Sequence, residues 1–182
     1  MHFRSLLFSA LVLISGAATA QDTPLPDMIG PAISRFEAGI ICAPEVVGFR
    51  EAPDTVAGVT NIIDNEPDFV STGRYVPAVE GMGFGVKTHG RGVDLIGVTV
   101  TTTHPPMGAE GITQQTYVRD MSGTGVGIIL YQFDFPYELV LGRWTFTAEH
   151  EGEILFRASF TVVPPEAVPS LAGVCGYEEL LG

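Results

Sequence analysis

The stretch "RWTFTAEHEGEILFRASFTVV", Arg143 to Val163, alternates apolar and polar residues on both sides of a glycine-bearing turn. Only a strand places every second side chain on one face, so Trp144, Phe146 and Ala148 are set against Thr145, Thr147 and Glu149. The next run repeats the pattern, with Ile154, Phe156, Ala158, Phe160 and Val162 against Leu155, Arg157, Ser159 and Thr161. Between them, His150 to Glu153 supplies Gly152 where a tight hairpin needs a positive φ. An antiparallel hairpin is predicted, and its apolar face must be buried against a second layer.

Four further runs of β-branched and aromatic residues follow Gly81: "GFGVKTHG", "DLIGVTVTTT", "ITQQTYVRD" and "VGIILYQFDF", each bounded by Gly, Pro or Asp. Phe36, Ala38, Ile40 and Cys42 alternate in the same way, whereas residues 43–80 mix short apolar runs with Pro and Asp and predict one or two short strands. No stretch of ten or more residues beyond the amino-terminal segment carries a helical period. The pattern predicts an all-β chain, a single antiparallel β-sandwich of immunoglobulin-like type with about seven or more strands, over residues 33–165. The proline-rich residues 21–32 read as an extended lead-in, and residues 166–182 as a tail.

Residues 1–20, "MHFRSLLFSALVLISGAATA", have the basic start, short apolar run and small-residue end of a secretory signal peptide cut after Ala20. The apolar run is shorter than the roughly 20 residues of a spanning helix, and no Cys follows for lipid attachment. A periplasmic or secreted protein, with no membrane insertion after cleavage, is expected. In an oxidising compartment the two cysteines, Cys42 and Cys175, are expected to pair. Such a bridge tethers the tail and closes a loop worth on the order of 4 to 5 kcal/mol in the chain-entropy account. With 21 acidic residues against 9 Lys and Arg, the formal charge is −12, which would repel a phosphate backbone and argues against nucleic acid as a partner.

The stretch "GRWTFTAEHEGEILFRASFTVV" looks like the closing hairpin of many bacterial extracytoplasmic immunoglobulin-like domains. "THPPMG", together with "FDFPYELVLGRW", resembles a family of small exported bacterial proteins known only as a domain of unknown function. The likeness runs from about Ile33 to Pro165. It implies the sandwich fold and brings no catalytic residues with it.

Candidate chemistry is sparse. "TTTHPPMG" reads as a rigid strand terminator, because Pro105 and Pro106 cannot donate to a ladder. The alternative is that His104, Pro105, Pro106 and Met107 are presented as contacts on a stiff loop. In "VGIILYQFDFPYEL", Tyr131, Phe133 and Phe135 share one face and Val126, Ile128 and Leu130 the other. If lead-in or tail leaves that aromatic face open, Tyr131, Phe133 and Tyr137 form a contact stripe. The glycine groups at 81–85, 90–92 and 123–127 precede or join strands, so turns and bulges explain them better than phosphate cradles do.

His89, His104 and His150 stand at no metal-ligand spacing, and of the acids clustered at Asp134 and Glu138 and at Glu149, Glu151 and Glu153 the hairpin trio lies at a solvent-facing turn that implies no pocket. No catalytic residue, metal site or cofactor is assigned. The reading is a non-catalytic binding module whose partner is another envelope protein or a peptide, added to an edge strand or held on the aromatic stripe. The alternative is an envelope enzyme or metal-binding protein with a site assembled from distant strands. A deep pocket lined by at least two of His89, His104, His150, Asp134 and Glu138 would favour it.

Overall fold

The computed structural model describes residues 23–44, 46–63 and 65–182, so the signal-peptide segment lies outside the described residues. In chain order the strands are β1 (Met28–Ile29), β2 (Ile33–Ile41), β3 (Val46–Glu51), β4 (Val59–Ile63), β5 (Tyr75–Pro77), β6 (Gly83–Gly90), β7 (Leu95–Met107), β8 (Ile112–Met121), β9 (Val126–Gln132), β10 (Gly142–His150) and β11 (Glu153–Val163). One short helix, α1 (Ala172–Cys175), lies in the tail.

Two sheets make the sandwich. The larger has the order β1-β11-β10-β7-β8, with β5 also on β11, and the smaller has the order β2-β6-β9. Every pair is antiparallel except β5 with β11. A separate hairpin, β3–β4, belongs to neither sheet. Residues 43–80 thus hold three strands where one or two short ones are expected.

The predicted hairpin is formed by β10 and β11, with His150 opposite Glu153 across a two-residue turn. Glu151 and Gly152 both take positive φ, 50° and 83°, the geometry of a type I′ turn. Trp144, Phe146, Ala148, Phe156, Ala158 and Phe160 are buried, as their period predicts. From the facing sheet Phe84 reaches into this layer, and its ring lies within 5.2 to 5.7 Å of Phe133, Trp144, Phe146 and Phe160. Edge-to-face contacts of this kind join the two sheets.

Gly83 and Gly85 lie in β6, which coincides with the expected strand run "GFGVKTHG". A Cβ on Gly85 would lie 2.2 Å from the Ile129 carbonyl oxygen, so glycine is needed for the backbones to approach.

Cys42 and Cys175 form the expected disulfide. It fixes the tail at the end of the sandwich, where Leu171, Ala172 and Tyr177 are buried against the core. The lead-in runs along β11: Met28 pairs with Arg157, Ser159 Oγ donates to the Leu25 carbonyl, and Asp27 is bound by Arg74 at 2.6 Å. None of the described helices is long and apolar enough to cross a membrane.

Candidate functional site

The two sheets part where β8 and β9 form their free edges, and the β3–β4 hairpin lies across the opening. Beneath it is a cleft of about 800 Å³, within the range of small-ligand sites. Val46, Val56, Ile62, Ile128 and Leu130 give it apolar walls, while Gln115, Tyr131, Gln132, Asp134 and Glu138 supply polar groups. Asn61 on the hairpin donates to the Asp134 carboxylate at 3.0 Å and closes one end. At the other end Arg119 donates to the Ile128 carbonyl.

The floor is a chain of directed hydrogen bonds. His104 Nδ1 lies 2.8 Å from the Pro105 carbonyl, which only accepts, so the ring carries its proton there and its Nε2 is free to accept. Gln115 Nε2 meets that Nε2 at 3.1 Å and the Tyr131 hydroxyl at 3.4 Å, giving one proton to each. Tyr131 donates to Glu138 Oε1 at 2.7 Å, and Glu138 Oε2 accepts the N–H groups of Asp134 and Phe135 at 2.6 and 3.0 Å. Gln115 Oε1 accepts the Val56 N–H from the tip of the hairpin at 2.8 Å. Every side-chain polar atom of His104, Gln115, Tyr131 and Glu138 thus has a partner, as burial requires.

Burial sets the protonation of these groups. It pushes His104 below the ordinary 6.5, against the bond to the Pro105 carbonyl, and keeps the ring neutral. Burial raises the Tyr131 hydroxyl, and the Glu138 charge adds to the effect. Glu138 itself is raised by burial, against the three hydrogen bonds that favour its carboxylate.

His104 packs against Trp144 with ring centroids 4.7 Å apart and is buried, and Met107 is fully buried, so neither is displayed on a loop. Strand β7 continues in extended form through Pro105 and Pro106, but no residue pairs with His104, Pro105 or Pro106. The prolines interrupt the ladder as a bulge, and pairing resumes where Met107 stands opposite Ile112. Phe133 lies in the core, and only Phe135 and Tyr137 of the aromatic run are exposed, stacked on each other at 5.3 Å. The opposite face of β9, with Ile128 and Leu130, is covered by the hairpin and not by lead-in or tail.

Of the residues that would favour an enzyme, Asp134 and Glu138 line the cleft, while His89, His104 and His150 do not. Among the described residues no three His, Cys, Asp or Glu side chains converge as a metal site would need. Gln115 and Val56 drew no notice in the sequence, because a glutamine and a valine 59 residues apart leave no local signature.

Comparison with curated proteins found none that matches. A solved structure described as an immunoglobulin-like protein from Pseudomonas aeruginosa is similar over 76% of this chain and 98% of its own, with 19% identity and a TM-score of 0.50. That likeness supports the immunoglobulin-like sandwich and nothing beyond the fold. The family model described as "Domain of unknown function (DUF3859)" matches residues 30–162, most of the sandwich, and the chain belongs to that family.

Proposed function

We propose that the protein is an exported, non-catalytic binding module of the bacterial envelope, and that the cleft under the β3–β4 hairpin is where it holds its partner. The observation that carries this reading is the cleft itself: apolar walls of ligand-site size, set beside the unpaired edge of β9. The floor supports binding over chemistry. Both oxygens of Glu138 are engaged, by three donors, and Asp134 is tied to Asn61, so Glu138 presents no free oxygen to a substrate. Export is supported by the Cys42–Cys175 bridge, a bond of oxidising compartments, and by the leader-like residues 1–20.

Native mass spectrometry of the processed protein, purified from a bacterial periplasm, tests the reading against a Leu130→Trp variant that fills the cleft. A mass retained by the parent, lost on denaturation and absent from a folded variant is the expected result. A parent bare in both spectra overturns it.

An enzyme is the second reading, favoured by Asp134 and Glu138 on one wall. It predicts that Asp134→Asn abolishes turnover of the retained molecule while leaving its binding intact.

A further inference from the structure

We infer that the occupant of the cleft is an extended peptide, paired antiparallel to β9, with a basic amino-terminal end and an acidic carboxy-terminal end. The inference rests on the cleft being the binding site. Phe133 exchanges hydrogen bonds with Met82 and Gly81, which places the odd-numbered residues of β9 toward β6. The backbone groups of Val126, Ile128, Leu130 and Gln132 therefore face away from β6, along the edge that no strand among the described residues covers. All four residues line the cleft.

Arg119 guards this edge by capping the Ile128 carbonyl, which leaves Leu130 and Gln132 as the open pairing positions. The buried Gln132 Oε1 has no hydrogen-bond partner among the described residues. An amide donor is the chemistry that would satisfy it, and an extended backbone supplies one at every second residue.

Charge sets the direction. Arg119 caps the Ile128 carbonyl at the Val126–Ile128 end of the cleft, and Arg50 of β3 also lines it. Asp134 and Glu138 stand at the opposite end, beyond Gln132. An antiparallel strand begins beside Gln132 and ends beside Val126, so its amino-terminal end meets the carboxylates and its carboxy-terminal end meets the arginines. A parallel strand of this polarity would set like charges against each other, and one of the reverse polarity would match the charges only through the less stable parallel ladder. Opposed residues in a sheet share a face, so the peptide residues opposite Ile128 and Leu130 lie among apolar neighbours, and those between them face Gln115 and Tyr131.

The test uses two blocked synthetic peptides of one composition, Lys-Ser-Val-Ser-Val-Ser-Glu and Glu-Ser-Val-Ser-Val-Ser-Lys, titrated calorimetrically into the processed full-length protein. The first is expected to bind at least about tenfold more tightly than the second, with the preference lost in Arg50→Glu. Leu130→Trp, shown to be folded by circular dichroism, is expected to bind neither. Equal binding of both peptides overturns the charge order. Binding of neither, with a non-peptide mass retained by the parent and lost in Leu130→Trp, overturns the peptide and leaves the cleft reading standing. Binding of neither, with no retained mass, overturns both.

Discussion

The backbone N–H of Val56 donates to Gln115 Oε1 at 2.8 Å, and this one hydrogen bond joins the tip of the β3–β4 hairpin to the buried floor of the cleft. Gln115 spends its other amide atom on His104 and Tyr131, so a single side chain coordinates three separate segments. Gln115→Ala leaves buried polar groups without partners and is expected to cost about 1 to 3 kcal/mol. Urea denaturation measures the loss, and hydrogen exchange should show faster opening at Val56.

His104 makes that junction sensitive to acid. Its folded-state value lies below the unfolded 6.5, so between the two the unfolded chain binds more protons and stability falls as pH drops through that window. A protonated Nε2 would face the Gln115 amide donors, and turning that amide over would take its oxygen from Val56. Glu138, raised above 4.5, acts with opposite sign, because the folded state gains its proton first on acidification. His104→Phe keeps a ring against Trp144, costs a pH-independent amount by leaving one Gln115 amide proton without its acceptor, and is expected to abolish the histidine slope. Denaturation curves across this pH range, with an NMR titration of His104, check both signs.

Phe133 and Tyr131 separate core from site. Phe133 is fully buried between Phe84 and Trp144, so Phe133→Ala is expected to cost roughly 3 to 5 kcal/mol and cannot serve as a clean probe of binding. Tyr131→Phe keeps the ring contacts with Phe84 and Trp144 and removes only the hydroxyl between Gln115 and Glu138. Its expected cost is about 1 to 2 kcal/mol, read from thermal or urea unfolding.

The β10–β11 turn holds a side chain in an unfavourable conformation. Glu151 is the only described residue other than glycine with positive φ. Asparagine visits this region more readily, so Glu151→Asn is expected to stabilise by about 0.5 to 1 kcal/mol. Gly152→Ala meets no neighbouring atom and should cost about 1 to 2 kcal/mol through backbone strain alone. Equilibrium denaturation of the two variants checks both directions.

The hairpin from Arg143 to Val163 was legible because a period of two and a turn residue are local signals, and the fold follows once that face needs a partner layer. The cleft was not legible in the same way. Its lid, "VVGFREAPDTVAGVTNII", contains alternating residues and a turn, but its strands join neither sheet and their apolar residues stay partly exposed. His104 drew notice for its prolines, yet its surroundings come from Trp144, Gln115 and Tyr131 on three other strands. Glu138 looked like one acid among many, and only the 3₁₀ turn at Pro136–Glu138 brings it back beneath Tyr131.

The disulfide between Cys42 and Cys175, 133 residues apart in sequence, also makes the sandwich a closed ring under load. Tension applied at the two ends would peel β1 and β2 from their neighbours and then stop at the bond, leaving β3 to β11 unextended. From residue 23 to Cys42 the chain can release at most about 70 Å at full extension. A protein built this way gives a short, fixed lengthening before it holds, because the load then bypasses every strand inside the loop.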